Sequence, residues 1–374
     1  MGCINNIVQK SRRPHWRSLN LVRYLTWTII FLLSAVHAAA QQDTFRIFLV
    51  GDAGEDAVTG TTLKNLGSQL LRYPNSAVIF LGDNSYKDAL GGIIPFGFKG
   101  FDSSSLAQKK IRSQLSILDG YHGYVYFTPG NHDWWNKTRY TTGRPKLKME
   151  QSFIEENLEK NATIKNPGNT FLPKEGRPGP DYVELNDHRI RVIFLDTYRL
   201  ILPGFAKDQP DTALHENKFY DDLDTLLRDA TLRRQRVVVI AHHPVYWTGP
   251  HQEKVKNDRL FSRIKASDIN FPSYKAMSTR LRALLQHYPG IYYAAGHVHG
   301  LYYNFPADSI HYIISGAGSK IHRVSEKELK RYGPAGPGEV PMWNNKGFFE
   351  IDFMTGKENL FMYHNEGSQK LVLP

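Results

Sequence analysis

The chain has 374 residues, of which 41% are hydrophobic and 22% charged, a composition that excludes a disordered chain and provides for a globular core. Its formal net charge is +11, but five of the basic residues lie in residues 1–42, which contain no acidic residue. The rest of the chain has 42 basic and 36 acidic residues and is therefore only mildly basic. This mild surplus suits an anionic substrate or an ordinary basic surface, and no motif predicts nucleic-acid binding.

The N-terminal part of the chain carries a targeting pattern. Residues 24–40 form an apolar run that follows basic residues and precedes a polar stretch. This pattern predicts a signal peptide over residues 1–40, with an uncleaved membrane anchor as the alternative. In both cases the rest of the chain is exported, to the exterior, the periplasm or a lumen. The single cysteine, Cys3, excludes an intrachain disulfide, and the sequons at Asn136 and Asn161 matter only in a eukaryotic secretory pathway.

From Thr44 onward, short apolar runs alternate with amphipathic stretches. Their length and β-branched content predict strands at Phe45–Val50, Ala77–Leu81, Tyr124–Thr128, Ile190–Leu195, Val237–Ala241, Ile291–Ala295 and Ile310–Ser315, and a closing hairpin at Phe348–Phe353 and Asn359–Tyr363. The stretches between them predict helices at Thr61–Arg72, Leu106–Leu118, Met149–Lys160, Lys218–Leu232 and Ser278–Gln286. The alternation predicts a single layered α/β domain over residues 44–374.

Polar side chains follow five of these strands directly. They are Asp52-Ala53-Gly54, Gly82-Asp83-Asn84-Ser85-Tyr86, Gly130-Asn131-His132-Asp133, His242-His243 and Gly296-His297-Val298-His299. In an open α/β sheet, ligands bind at the carboxyl ends of the strands. Each motif alone is more often an ordinary turn or strand end than a functional site, but five in this order predict a metal site.

The types of ligand atom in these motifs indicate which metal ions the site would bind. Carboxylates, imidazoles, an amide and a phenol contain no thiolate, which argues against a closed structural zinc site. Phenolate and carboxylate oxygens favour a highly charged ion such as Fe(III), whereas a histidine-rich set suits a divalent ion. Two ions that share one aspartate are suited to phosphoryl transfer.

Together the motifs Asp-x-Gly, Gly-Asp-x-x-Tyr, Gly-Asn-His-Asp, Val-x-x-His and Gly-His-x-His resemble those of the purple acid phosphatases of the metallophosphoesterase superfamily. The resemblance is greatest to the small, tartrate-resistant type and spans roughly residues 45–320. Most of the superfamily has Asp-x-His as its first motif, whereas here Gly54 replaces that histidine and Tyr86 supplies a ligand. The resemblance implies a four-layer α/β/β/α sandwich. The disulfide of the mammalian type is absent, which puts regulation by loop cleavage in doubt.

The same resemblance implies roles for individual residues. Fe(III) is held by Asp52, Asp83, Tyr86 and His299, and a divalent ion (Fe, Zn or Mn) by Asp83, Asn131, His242 and His297. His132 lies beside the substrate, and His251 falls where the family often has a second substrate-side histidine.

These roles predict an acid phosphatase that hydrolyses phosphate monoesters of small molecules or phosphoproteins. Metal-bound hydroxide is the nucleophile, and His132, as imidazolium, is the general acid. A phosphodiesterase or nucleotide hydrolase on the same two-metal core is the alternative, because pocket loops decide the choice of substrate. A secreted, non-catalytic metal-binding protein is the remaining alternative.

Overall fold

A computed structural model describes Trp27 and residues 44–86, 106–134, 140–202, 212–249, 269, 271–332, 335–365 and 367–373. The chain divides into two compact units, and the second, Phe45–Pro374, contains every helix and strand given below. No helix in the described ranges has the length and apolar character needed to cross a membrane.

The described ranges contain thirteen strands and seven helices. In chain order they are β1 (Phe45–Val50), α1 (Thr61–Arg72), β2 (Ser76–Phe80), α2 (Leu106–Leu115), β3 (Tyr124–Phe127), α3 (Tyr140–Glu159), β4 (Asp181–Leu185), β5 (Ile190–Phe194), α4 (Thr197–Ile201), α5 (Thr212–Leu232), β6 (Arg236–Ile240), α6 (Pro272–Leu285), β7 (Tyr292–Ala295), β8 (Leu301–Asn304), β9 (His311–Ser315), α7 (Glu326–Tyr332), β10 (Val340–Met342), β11 (Gly347–Met354), β12 (Lys357–His364) and β13 (Gly367–Leu371). Short 3-10 turns lie at Ser116–Leu118 and Lys174–Gly176.

The strands form two mixed sheets. The first has the order β13-β12-β11-β1-β2-β3 and the second the order β10-β8-β9-β7-β6-β5-β4. Strands β1, β2 and β3 run parallel, as do β5, β6, β7 and β9. Each sheet therefore brings the carboxyl ends of several strands to one edge, where loops can present side chains together.

Alternate residues of the strands face two different cores, as the period of a strand requires. Ile47 and Leu49 of β1 lie in one apolar cluster with Val238 of β6, which is the layer between the two sheets. Phe48 of β1 lies in another cluster with Leu66 of α1, on the opposite face of the first sheet. Because both faces of β1 are covered over Ile47–Val50, these four residues are all apolar.

Helices cover the outer faces of the sheets. Helix α1 contacts β11 in the first sheet, and α5 contacts β6 in the second. Leu63, Leu66 and Leu70 of α1 recur at the spacing of one helix face, and all three are buried. Helices outside two facing sheets make the layered α/β domain predicted from the sequence, in the four-layer α/β/β/α form that the family resemblance implied.

All nine predicted strands are present, and their ends differ from the predicted ones by at most two residues. The five predicted helices are also present, with α3 and α5 beginning earlier than predicted and α6 extending to Pro272. Four strands and two short helices were missed, namely β4, β8, β10, β13, α4 and α7.

Candidate metal centre

Three of the predicted ligands form a first cluster, defined by Asp52, Tyr86 and His299. Asp52 follows β1, Tyr86 follows β2 and His299 follows β7. The Tyr86 hydroxyl donates to Asp52 Oδ1 at 2.7 Å and lies 3.2 Å from His299 Nε2. His299 Nε2 is itself 3.4 Å from Asp52 Oδ1. Residues from three separate strand ends thus bring their ligand atoms together.

Three other predicted ligands form a second cluster, defined by Asn131, His242 and His297. Asn131 Oδ1 lies 3.2 Å from His242 Nε2 and 3.0 Å from His297 Nδ1. His242 Nδ1 donates to the carbonyl oxygen of Leu81 at 2.8 Å. This hydrogen bond orients the His242 ring and leaves Nε2 as the nitrogen that faces the cluster.

Asp83 lies between the two clusters. Its Oδ1 is 3.4 Å from His242 Nε2 and accepts the backbone N–H of His132 at 2.8 Å. One ligand atom from each of Asp52, Asp83 and His242 lies within 4.8 Å of the others. Burial raises the pKa of Asp83, but the charges of His242 and His132 outweigh burial and hold it well below its ordinary value. Asp83 is therefore placed to serve both clusters as an anion.

The donor chemistry of the second cluster fits a cation. Because Leu81 takes the Nδ1 proton, the Nε2 lone pair of a neutral His242 faces two oxygen acceptors, those of Asn131 and Asp83. Acceptors converge in this way only around a positive charge. Burial lowers the pKa of His242, but the charge and hydrogen bond of Asp83 outweigh it and raise the pKa to about 9. A metal ion would take the place of that proton.

The first cluster differs from the second because one of its donors is a buried phenol. Burial raises the pKa of Tyr86 well above its ordinary value, and the charges of Asp52 and Asp83 raise it further. Without a metal, Tyr86 is a phenol that donates to Asp52. Only a highly charged cation beside the oxygen would reverse this balance and favour phenolate.

Ten described non-glycine residues have a positive φ, and three of them are candidate ligands. Asp52, Asp83 and His297 have φ values of 56°, 52° and 68°, in the left-handed region that side chains other than glycine rarely adopt. Such strain persists only where surrounding contacts hold it, and it is typical of functional sites.

Comparison of the sequence with protein families decides the class. Residues 45–301 match the calcineurin-like phosphoesterase family. The chain belongs to this family. Calcineurin-like phosphoesterases are metal-dependent phosphoester hydrolases, in agreement with the paired donor clusters. No curated protein matches the chain in sequence.

Solved structures similar to this calcineurin-like phosphoesterase share its fold at low sequence identity. GAP50, the anchor in the inner membrane complex of Plasmodium, is 15% identical with a TM-score of 0.51, covering 88% of this chain and 89% of that one. PhoD is 10% identical with a TM-score of 0.51, covering 89% of this chain and 72% of its own. A dimetal phosphatase from Danio rerio is 14% identical with a TM-score of 0.46, covering 88% and 99%. At these identities the likeness concerns the fold alone.

The backbone at Gly54 leaves no space for a side chain in the first cluster of this calcineurin-like phosphoesterase. A Cβ atom at Gly54 would overlap the backbone of Asn84 and Ser85, and would lie 2.6 Å from the Asn84 carbonyl oxygen. A histidine at position 54 therefore does not fit this backbone. The loop that excludes it is the one that delivers the Tyr86 hydroxyl to Asp52.

A buried carboxylate, Asp133, joins the turns that carry the ligands. Its Oδ2 accepts the backbone N–H of Gly130 at 2.7 Å and of Asn84 at 3.2 Å, and its Oδ1 accepts that of Ser85 at 3.1 Å. Burial raises the pKa of Asp133 well above its ordinary value, and the charge of Asp83 raises it further. Asp133 had no role predicted from the sequence alone, because its partners Asn84 and Ser85 are distant along the chain.

His132 lies on the solvent side of the centre. Its side chain is 27% exposed, compared with 2% for Asp83, and its Nε2 is 4.0 Å from Asp83 Oδ2. Its ring packs against Tyr86 at a centroid distance of 4.6 Å. His132 is therefore accessible from the side by which a substrate would enter.

His243, which had no role predicted from the sequence, lies beside the second cluster. One ligand atom from each of His242, His243 and His297 lies within 4.8 Å of the others. His243 Nδ1 is 2.8 Å from Thr197 Oγ1, and its Nε2 has no hydrogen-bond partner among the described residues. Burial, with the charges of His297 and His242, lowers the pKa of His243 well below its ordinary value. The His242-His243 doublet was the signal in the sequence, but the family resemblance assigns only its first member.

The predicted substrate-side residue His251 lies outside the described residues. So do the sequon at Asn136 and, apart from Trp27, the apolar run at residues 24–40. Their roles remain predictions.

Proposed function

We propose that residues 44–374 form the single catalytic domain of an acid phosphatase that hydrolyses phosphate monoesters with two metal ions. Trivalent iron would be held by Asp52, Tyr86 and His299 and a divalent ion (Fe, Zn or Mn) by Asn131, His242 and His297, with Asp83 shared between them. The proposal is carried by one observation. Donors from five strand ends converge on Asp83 as an oxygen-rich and a nitrogen-rich cluster.

The residues of the centre would have different roles in phosphate transfer. When bound, the ions supply an activated water and neutralise charge that develops on the phosphoryl oxygens. Asp52, Asp83 and His242 are closed to solvent, whereas His132 and His299 are partly exposed. We assign His132 as the general acid, since its accessible imidazolium can donate a proton to the leaving oxygen. Because His132 must be protonated to act as the general acid, we expect the activity to be highest in acid.

Substrate and location complete the proposal. Small phosphate esters or phosphoproteins are the substrates, and nucleic acid is not a partner. The protein is exported, as a free protein after cleavage or anchored through residues 24–40. GAP50, an anchor in Plasmodium, has a similar fold, so catalysis is inferred here from the site and not from the fold. The full set of ligands and His132 favours an enzyme here.

The iron assignment is tested by elemental analysis and visible spectroscopy of the purified protein. We expect two metal equivalents, one of them iron, and a purple to pink colour from charge transfer between Tyr86 and iron. Tyr86→Phe should remove the band. Tyr121→Phe is the matched control, because Tyr121 is fully buried and its hydroxyl bonds Ser76 Oγ at 2.8 Å. A colourless iron-loaded protein, with Tyr86→Phe indistinguishable from wild type, would refute the assignment.

The substrate class is tested by comparing kcat/KM on a phosphomonoester and on a phosphodiester with the same leaving group. We expect the monoester to be preferred. A preference for the diester would favour the phosphodiesterase alternative, and no hydrolysis by metal-replete protein between about pH 4 and 8 would favour a binding protein.

A further inference from the structure

A lysine lies over the ring of the tyrosine in the first cluster. Lys320 Nζ is 4.3 Å from the centroid of the Tyr86 ring. The Tyr86 residue is only 3% exposed, whereas the Lys320 side chain is 38% exposed. The ammonium group therefore lies at the boundary between solvent and a ring buried in the centre.

The position of Lys320 is tied to the first cluster through its neighbour. The Ser319 hydroxyl donates to the Asp52 carbonyl oxygen at 2.6 Å and accepts the backbone N–H of Glu55 at 2.9 Å. Glu55 Oε2 is also 3.8 Å from Lys320 Nζ. The segment that carries the lysine is thus attached to the loop that carries Asp52.

A cation over an aromatic ring acts on the electrons of that ring. Attraction between an ammonium and a neutral ring is modest, but it grows when the ring carries negative charge. Lys320 would therefore stabilise a Tyr86 phenolate more than a phenol. The stabilised phenolate would be a weaker electron donor to a bound ion, so charge transfer to iron would need more energy. Glu55 opposes this effect, because its carboxylate partly offsets the ammonium charge.

We propose that Lys320 is a positioning residue that acts through Tyr86. Its positive charge determines how strongly the Tyr86 phenolate donates electrons to the ion of the first cluster. This inference rests on the proposed function, because it needs iron bound by Tyr86. It adds a residue outside the five sequence motifs to the control of the centre.

The test is the position of the Tyr86-to-iron band in the iron-loaded, full-length protein. Lys320→Met removes the charge and should move the band to longer wavelength by on the order of 10–20 nm, whereas Lys320→Arg should keep it near wild type. Glu55→Gln, which leaves the lysine unopposed, should move it slightly to shorter wavelength. Lys346→Met is the matched control, because Lys346 is 35% exposed and pairs with Asp56 at 3.7 Å, and it should not move the band.

The outcomes separate this inference from the proposed function. A colourless iron-loaded wild type overturns both. A coloured wild type with the same band in Lys320→Met and Lys346→Met overturns the inference alone. The inference also fails if Lys320→Met raises KM for a phosphomonoester at least about tenfold without moving the band, because the lysine would then contact substrate. If Lys320→Met does not fold, the shift in Glu55→Gln decides: shorter wavelength supports the inference, and no shift or the opposite shift overturns it.

Discussion

The two donor clusters share one edge of the sandwich, yet their chemistry differs. The first offers a carboxylate, a phenol and one imidazole, while the second offers two imidazoles and an amide oxygen. Charge is therefore concentrated in the first cluster, whereas the second relies on neutral donors beside Asp83. The two sets of donors would suit two ions of unlike charge, as the proposed function requires.

The largest effect should follow from removing the carboxylate that both clusters use. Asp83→Asn should lower kcat by about 1,000-fold, since metal ions contribute several kcal/mol to such reactions. Elemental analysis should detect a loss of both ions. Asp221→Asn, an exposed carboxylate on α5, is the control and should change neither quantity. Loss of only one ion in Asp83→Asn would contradict the shared role.

The next effect should leave both clusters intact. His132→Ala should retain both ions and the visible band, but lower kcat by about 100-fold on an alkyl phosphate, whose leaving oxygen needs a proton. An aryl phosphate with a good leaving group should lose much less. Equal losses on both substrates would argue against His132 as the general acid.

The smallest effect on rate is expected for a variant of the second cluster, and its metal content should differ from that of a variant of the first. His297→Ala should weaken binding of the divalent ion by roughly 100-fold while the visible band remains, and excess divalent ion should restore activity to within about tenfold of wild type. His299→Ala should instead lose iron and the band. If both variants lose the same ion, the division into an iron side and a divalent side is wrong.

The sequence predicts the central strands because both of their faces are buried, which makes them continuous apolar runs. The missed strands β13 and β10 lack this signal, whereas the missed strand β8 is buried at all four residues. The sequence of β13 is Gly-Ser-Gln-Lys-Leu, and four of its five residues are exposed at the edge of the first sheet. Strand β10 has three residues that include Pro341, and it lies at the edge of the second sheet. Edge strands need burial on one side only, so pairing with a neighbour decides their structure.

The predicted ligands were accessible to sequence reasoning because each directly follows a strand. The supporting contacts were not. Asp133 bonds residues that lie 48 and 49 positions away, and Lys320 reaches Tyr86 from a loop after β9. No local pattern encodes such contacts, because they arise only when distant loops meet.

The hydrogen bonds received by Asp133 have a consequence for ion capture. They fix the turns at Asn84 and Gly130 from within the polypeptide, so the conformational entropy of these turns is lost during folding. Binding of an ion then requires little further loss of conformational entropy. We therefore expect the centre to adapt little to different ions and to discriminate among them by radius and preferred coordination number.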